Sequence, residues 1–188
     1  DALGADKVDA VMMPYKYTAS ISIEDAEKQA KTLAVGYHSL PIEPMFKAFE
    51  DTLAPMFAEK PADLTEENLQ ARIRGTLLMA LSNKHGKMVL ATSNKSEVAV
   101  GYSTIYGDMV GGFSPLKDVP KTLVYRLAEY RNCLSKCIPE RVISRAPSAE
   151  LRADQTDQDS LPDYDVLDEI IKRYVRFDQT PQDIIEAG

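Results

Sequence analysis

Helical patterns and short apolar runs alternate over the first 140 residues, and this alternation restricts the fold more than any other feature. The runs VDAVMMP (8 to 14), YHSLPIE (37 to 43) and KMVLAT (87 to 92) predict three strands. Helices are predicted between and after them, at 22 to 36 with Ser22 as its N-cap, at 44 to 57, at 65 to 86 and from 119 onward. Strands that alternate with helices pair in parallel. The sequence therefore predicts an α/β fold in which helices cover a parallel sheet and ligands bind beyond the carboxyl ends of the strands.

The chain beyond residue 144 departs from this alternation. The stretch SRAPSAELRADQTDQDSLPDYD is polar and acidic without periodicity, which predicts a long loop. A helix is then predicted over 164 to 177, and a last short helix behind Thr180 and Pro181. At 188 residues, the whole chain fits one domain of ordinary size.

The composition excludes some classes of partner. With 44% hydrophobic and 27% charged residues the chain has the composition of a globular protein. The net charge of −7 argues against a generic binder of nucleic acid or of an anionic membrane, because such partners are usually met by an excess of Lys and Arg. No apolar run approaches the roughly 20 residues that span a bilayer. The first residues resemble no signal peptide, so a cytoplasmic protein is expected.

The two cysteines predict no disulfide. Cys133 and Cys137 lie four residues apart in a segment that is predicted to be helical, where backbone geometry is poor for a disulfide. A metal pair would need further ligands, and the only histidines are His38 and His85. Structural thiols are the expectation.

Polar residues follow the third predicted strand where it ends. Thr92, Ser93 and Ser96 supply hydroxyls, and Glu97 supplies a carboxylate. Because the carboxyl ends of parallel strands share one edge of a sheet, these residues and the loop after Pro14 are expected to line one crevice. Such oxygen ligands can hold Mg²⁺ together with a polyphosphate.

Further charged residues come shortly afterwards, and each has a structural alternative. Asp108, Lys117 and Lys121 follow, and ammonium groups at this position could neutralise phosphate oxygens. Glu97 could equally be a first-turn helix acid that the helix dipole favours. Lys121 in a first turn opposes that dipole, which favours a functional reason. The pattern alone indicates an α/β domain with a phosphate or nucleotide site.

Four separated motifs also resemble one family. NLQARIRGTLLMALSN and VLATSNKSEVAVGYSTIYGDMVGGFSPLKDVPKTLVYRL resemble the synthetase domain of NAD⁺ synthetases, and most closely the glutamine-dependent kind. MMPYKYTASISIEDA and APSAELRADQTDQDSLPDYDVLD resemble the same family, so the similarity covers nearly the whole chain. The resemblance implies a Rossmann-like parallel sheet with helices on both faces, adenine nucleotide alpha hydrolase-like, in the N-type ATP pyrophosphatase group.

The resemblance also implies a reaction, the last step of NAD⁺ biosynthesis. Its members use ATP and Mg²⁺ to adenylate the nicotinate carboxylate of deamido-NAD⁺, release pyrophosphate, and let ammonia displace AMP. In the glutamine-dependent branch a glutaminase domain supplies the ammonia. Such chemistry depends on positioning and charge neutralisation and needs no nucleophilic side chain.

The resemblance assigns four residues to deamido-NAD⁺. Asn68 and Arg72 in NLQAR match positions that contact the dinucleotide, although on spacing alone Arg72 equally fits a solvated surface residue. Glu97 matches the acid assigned to both Mg²⁺ and the dinucleotide. Asp108 in YGD matches a residue near the nicotinate end.

Three more residues are assigned to ATP. Thr92 matches an ATP contact, Lys121 in DVPKT matches a lysine on the ATP phosphates, and Ser148 in APSAEL matches a hydroxyl beside the phosphates and the metal. Members that use free ammonia commonly carry a lysine where this chain has Ile105, which favours the glutamine-dependent branch.

Two departures from the family pattern qualify these expectations. The SGGxDS phosphate loop is absent from the 188 residues, which open with a segment that resembles the one just after that loop. The glutaminase domain and a basic C-terminal tail are also absent from the sequence. Residues 1–188 are therefore expected to be a synthetase domain incomplete at both ends, which alone would not hold ATP productively.

Three hypotheses follow. The chain belongs to a glutamine-dependent enzyme, or to a stand-alone ammonia-dependent synthetase, or it is a non-catalytic assembly module. In the two enzymatic hypotheses the partners are deamido-NAD⁺, ATP and ammonia, without nucleic acid or membrane, and the resemblance implies a homodimer or a larger homo-oligomer.

Overall fold

A computed structural model describes residues 2–58 and 60–188. Two of the three expected strands form a parallel pair, β1 (Asp9–Met12) and β2 (Gly36–Ser39), in which Asp9 lies opposite Gly36 and Met12 opposite Ser39. Helix α1 (Ser20–Leu33) crosses between them and packs on both strands. The mixed α/β class with a parallel sheet is confirmed.

The third expected strand, 87 to 92, is reduced to one isolated parallel bridge between Leu90 and Phe113. Its two largest exposed apolar side chains remain accessible, with Met88 67% and Leu90 47% exposed, whereas Ala91 is buried. Ladder bonds and side-chain burial together stabilise a strand. In the described part of the chain this segment has few ladder hydrogen bonds and little side-chain burial. Its apolar composition predicted a strand, but neighbouring segments do not pair with it along its length.

Seven α-helices follow α1 in the described part of the chain. They are α2 (Glu43–Phe57), α3 (Leu64–His85), α4 (Lys95–Ala99), α5 (Lys121–Leu134), α6 (Glu140–Ser144), α7 (Tyr164–Ile171) and α8 (Pro181–Glu186). Short 3₁₀ turns lie at Ala5–Lys7 and Asp157–Asp159, and a π-helical stretch, Lys172–Arg176, extends α7.

Helix starts and ends follow local sequence in most cases. Asp63 caps α3 and forms a capping box with Glu66, and Gly86 ends that helix in the left-handed region. Thr180 caps α8, as predicted. The prediction that Ser22 caps α1 is wrong, because the helix begins at Ser20 with Ala19 as its N-cap. Local cues therefore place the helices but not always their first residue.

The expectation that Cys133 and Cys137 share one helix is wrong. Helix α5 ends at Leu134, so the two cysteines do not share one helix. Both are free, Cys133 exposed and Cys137 buried. Asn132 Oδ1 accepts the Cys137 N–H at 3.1 Å, which turns the chain out of the helix.

Six of the buried apolar side chains in the described residues form two separate clusters. In the first, Ile42, Phe46 and Ile73 join α2 to α3. In the second, Tyr164, Leu167 and Ile171 line one side of α7, which packs on α4 and α5. The clusters lie in different parts of the chain and hold the helices that carry the candidate site.

Two glycines allow α3 to approach the loop that follows α4. A Cβ at Gly75 would lie 2.6 Å from the carbonyl oxygen of Tyr106, and a Cβ at Gly107 would lie 2.8 Å from Cβ of Ala71. Real Cβ atoms are not found at such distances, so these positions need glycine for space. In residues 2–58 and 60–188, none of the helices combines the length and the apolar character that crossing a membrane requires.

Candidate nucleotide site

A cleft of about 1140 Å³ opens between α1, α3, α4, α5 and the loop after α6. Val11 and Met12 of β1 lie in its wall, so the cleft reaches the carboxyl end of that strand, as expected for ligands of parallel sheets. Six of the seven predicted site residues line it: Asn68, Thr92, Glu97, Asp108, Lys121 and Ser148.

Glu97 is fixed by its own helix start. Asn94 is the N-cap of α4, its Oδ1 accepts the Glu97 N–H at 3.1 Å, and Glu97 Oε2 accepts the Asn94 N–H at 3.2 Å. The two interpretations of Glu97 are thus compatible. It is a first-turn acid of a helix, and the same capping box aims its other oxygen into the cleft.

Lys121 pairs with that oxygen. Its Nζ lies 2.9 Å from Glu97 Oε1, and the two side chains are only 17% and 18% exposed. The ammonium also lies 5.3 Å from the centre of the Tyr164 ring. Water reaches this ion pair poorly, so it is held more firmly than a surface pair. We call Glu97 and Lys121 the charged cluster.

Asn68, Thr104 and Asp108 form a second group, the hydrogen-bonded cluster. The Thr104 hydroxyl donates to Asn68 Oδ1 at 2.8 Å, and the Thr104 N–H donates to Asp108 Oδ1 at 2.6 Å. Desolvation raises the pKa of the Asp108 carboxyl, and the negative charge of Glu97 adds to this shift. Backbone N–H donors oppose the rise in pKa only in part.

The remaining three predicted residues differ in how they are placed. Thr92 is exposed at the cleft wall. Ser148 lies in the loop after α6, and its hydroxyl accepts the Glu150 N–H at 3.1 Å. Arg72 is not among the residues that line the cleft. It is exposed, and its Nε donates to the carbonyl oxygen of Ile105 at 3.2 Å.

The loop that carries Ser148 is attached to α1 by Glu150. The Glu150 carboxylate accepts from the Ser22 hydroxyl at 2.7 Å and from the Ala19 N–H at 3.3 Å, and pairs with Arg145 at 3.0 Å. This explains the wrong prediction for Ser22. A carboxylate from a distant loop satisfies the start of α1, so a local cap is unnecessary.

Sequence patterns did not indicate two features of the cleft. Arg74 lines it rather than facing solvent; its Nε donates to the carbonyl oxygen of Met13 at 2.9 Å, and burial lowers its pKa. Asp157, 3% exposed, accepts from the hydroxyls of Tyr102 at 3.2 Å and Tyr164 at 2.6 Å. Burial raises the pKa of both tyrosines. Arg74 lies 61 residues from Met13, and Tyr102 lies 55 residues from Asp157, so sequence spacing gave no indication of these two contacts.

The donor set fits a nucleotide-borne Mg²⁺ better than a resident metal ion. Across the described residues, no group of three or more His, Cys, Asp and Glu side chains converges on a common point. Glu97 is a single carboxylate, and each of its oxygens keeps a lone pair beyond its present hydrogen bond. Mg²⁺ is often held by one or two carboxylates together with substrate phosphates, and this donor set is compatible with that arrangement.

Comparisons with known proteins give the family. The NAD synthase family model matches residues 1–188. The glutamine-dependent NAD(+) synthetase of Acinetobacter baylyi is 63% identical over 190 residues, which span 100% of this chain and 35% of that protein. The chain therefore belongs to the NAD synthase family, and the resemblance inferred from its motifs is confirmed.

Solved structures agree with this assignment. The glutamine-dependent NAD⁺ synthetase of Acinetobacter baumannii, in complex with ADP, matches with a TM-score of 0.76 and 54% identity over 100% of this chain and 33% of that one. The NMN synthetase of Francisella tularensis matches with a TM-score of 0.80 and 25% identity over 95% of this chain and 70% of that one. The chain spans about a third of the length of the curated relatives it matches.

Proposed function

We propose that this chain is the synthetase domain of an enzyme that amidates deamido-NAD⁺ to NAD⁺ with ATP and glutamine-derived ammonia, and that residues 1–188 are incomplete at both ends. The observation that carries the proposal is the single cleft that six of the seven assigned residues share. Such a cleft can bring a carboxylate substrate and a nucleoside triphosphate together.

The reaction has two steps. The nicotinate carboxylate attacks the α-phosphorus of ATP, the bond to the β-phosphate breaks, and pyrophosphate leaves. Ammonia then attacks the carboxyl carbon and loses a proton. The bond from that carbon to the adenylate oxygen breaks, and AMP leaves with one oxygen of the former carboxylate. Both steps move negative charge onto phosphate oxygens, so they gain most from a fixed cation and from exact placement of the reactants.

Lys121 is the cation that we assign to the phosphates. An ammonium group has three donors, and one of them is engaged with Glu97, which leaves two for phosphate oxygens. Thr92 and Ser148 add hydroxyls at the same cleft. In this proposal the three residues orient the triphosphate, with Lys121 neutralising the charge that develops on it.

We assign deamido-NAD⁺ to Asn68, Asp108 and Glu97. The amide of Asn68 and the carboxylate of Asp108 are held by one threonine, Thr104, so they present a fixed pair of polar groups. Glu97 would also hold Mg²⁺, which supplies charge neutralisation on the phosphates when it is bound. Arg72 is exposed, and its assignment to the dinucleotide requires that the ligand extend to the outer surface of α3.

Association and location complete the proposal. We infer a homodimer or a larger homo-oligomer, supported by Leu127, Tyr130 and Leu134, which are exposed at helical spacing along α5. Light scattering of the intact protein tests this, and a monomer would contradict it. The cytoplasmic location is a prediction from the sequence alone.

The test of the function is a direct assay of the intact natural protein with deamido-NAD⁺, ATP and Mg²⁺. NAD⁺, AMP and pyrophosphate are expected in equal amounts with either glutamine or ammonium chloride. Product formed with ammonium chloride but not with glutamine would favour the stand-alone ammonia-dependent synthetase. No product with either nitrogen source would contradict the enzymatic proposal and favour a non-catalytic module.

A further inference from the structure

Helix α5, which begins with Lys121, has no cap from its own sequence. Its N-cap is Pro120, which offers no side-chain acceptor. Two residues from other helices satisfy its first N–H groups: Ser96 Oγ accepts the Lys121 N–H at 2.8 Å, and Asp168 Oδ2 accepts the Thr122 N–H at 2.9 Å. The start of α5 is therefore held by tertiary contacts.

Asp168 of α7 joins these contacts into one unit. Its Oδ2 also accepts from the Thr122 hydroxyl at 2.8 Å, and its Oδ1 accepts from the hydroxyl of Ser96. Ser96 is 0% exposed, so its hydroxyl depends on these partners within the protein. One carboxylate thus connects α7 to both α4 and α5.

Each contact adjoins one member of the charged cluster. Ser96 precedes Glu97 in α4, and Thr122 follows Lys121 in α5. The carboxylate of Asp168 therefore fixes the backbone of α4 and α5 beside the two residues whose side chains pair in the cleft. Asp168 itself is not among the residues that line the cleft.

Helix α7 is anchored well enough to act as a support. Leu167 and Ile171 are buried in its apolar cluster. Tyr164, in the first turn of the same helix, lies under the Lys121 ammonium and donates its hydroxyl to the buried Asp157. Movement of Asp168 relative to the cleft would break these contacts as well.

We propose that Asp168 is a positioning residue, which sets the separation and direction of Glu97 and Lys121 by holding the starts of α4 and α5 in register. The inference rests on the proposed function, because it assumes that the charged cluster receives ATP and its phosphates. It extends that function to a residue outside the cleft, on the helix behind it.

The test compares three variants of the intact natural protein. Asp168→Asn removes the charge, and Ser96→Ala removes the link to α4 while leaving the pair between Asp168 and Thr122. Glu169→Gln is the matched control, because its carboxylate pairs only with Lys172 and Arg173 at the surface in the described structure. ATP binding is measured by calorimetry, and turnover by pyrophosphate release.

We expect Asp168→Asn to weaken ATP binding and to slow pyrophosphate release by about tenfold to a hundredfold, since displacement of about 1 Å can cost that much. Ser96→Ala should show a smaller loss in the same two measurements. Glu169→Gln should match the wild type. The number of ATP sites per chain should stay unchanged in all three variants.

The outcomes separate positioning from folding. A reduced number of sites with an unchanged Kd would mean that Asp168 only stabilises the fold, and would overturn the inference. Wild-type Kd and turnover in both Asp168→Asn and Ser96→Ala would also overturn it. If the wild-type protein itself neither binds ATP nor releases pyrophosphate, the proposed function has failed instead.

Discussion

The charged cluster and the hydrogen-bonded cluster line the same cleft but are built in different ways. Glu97 and Lys121 are held by side chains of α4 and α7, through the capping box of α4 and through Ser96 and Asp168. Asn68 and Asp108 are joined through Thr104, in a turn that lies against the backbone of α3. Substitutions in the charged cluster should therefore reduce activity while the protein still folds. Substitutions that disturb the close backbone contacts beside the hydrogen-bonded cluster should mainly reduce the free energy of unfolding.

The largest effect is expected at Glu97. Glu97→Gln keeps an acceptor for the Asn94 N–H but removes the charge that pairs with Lys121. In the intact protein we expect no amide formation with either ammonia or glutamine.

Glu66→Gln is a matched control for this substitution, because Glu66 occupies the same capping-box position in α3 but does not line the cleft. Both variants should unfold at temperatures close to that of the wild type. Ammonia-dependent NAD⁺ formation by Glu97→Gln would show that the carboxylate is not needed.

Lys121→Ala should be nearly as severe, and its effect should fall on the first step. Loss of a preorganised cation at the phosphates is expected to slow adenylation by about 10²- to 10³-fold. The measurement is the rate of pyrophosphate release with deamido-NAD⁺ and ATP.

Lys117→Ala controls for loss of positive charge in general, since Lys117 is exposed and lies outside the cleft lining. The sequence offered both lysines as candidate phosphate cations, and the structure distinguishes them. Equal rates of pyrophosphate release in Lys121→Ala and the wild type would exclude the role given to Lys121.

Gly75→Ala tests the close approach behind the hydrogen-bonded cluster. The new Cβ would meet the carbonyl oxygen of Tyr106 at 2.6 Å, so α3 and the turn must separate. We expect a loss of about 1 to 3 kcal/mol in the free energy of unfolding, measured with urea.

Gly112→Ala is the control, because its Cβ would meet the flexible Met88 side chain at 3.2 Å rather than backbone. Met88 is exposed and can move away, so little stability should be lost there. If the two alanine variants unfold at the same urea concentration, close backbone contact does not hold this part of the cleft together.

The smallest effect concerns the pH dependence of stability at Asp108. Its pKa in the folded protein is raised above 3.8, so the folded state binds the proton more tightly than the unfolded chain does. The contribution of protonated Asp108 to the free energy of unfolding is therefore complete below pH 3.8. This contribution is lost as the pH rises through the raised pKa.

Asp108→Asn keeps an acceptor for the Thr104 N–H and cannot ionise. The free energy of unfolding of the variant should therefore not fall as Asp108 ionises in the wild type. Relative to the wild type, the variant should become more stable as the pH rises through the raised pKa of Asp108. Urea titrations from about pH 3 to about pH 7 measure the difference. Parallel curves for wild type and variant would contradict the raised pKa.

Helix positions could be predicted because their signals are local. Thr180 with Pro181, and Gly86 after a long apolar pattern, mark the start of α8 and the end of α3 through chemistry within one turn of the chain. Ser22 failed as a cap because Glu150 satisfies the start of α1 from another segment. Local rules fail where a distant side chain replaces a local one.

The third strand failed for a related reason. An apolar run shows that a segment can be buried, but a strand also needs neighbours on its edges and a surface over its face. At Leu90 the described chain provides one bridge only. Similarly, the sequence around Arg74 did not indicate that this residue lines the cleft, because its hydrogen-bond acceptor is the carbonyl oxygen of Met13 in a distant segment.

By itself the sequence determined the α/β class, the family and the residue types at the cleft, because these follow from periodicity, caps and contiguous motifs. Only the tertiary structure decided that Glu97 both completes the capping box of α4 and pairs with Lys121, that Arg72 is exposed outside the cleft lining, and that Asp168 holds two helix starts together. The physical reason is that hydrogen bonds and ion pairs act over about 3 to 4 Å in space, whatever the separation of their partners along the chain.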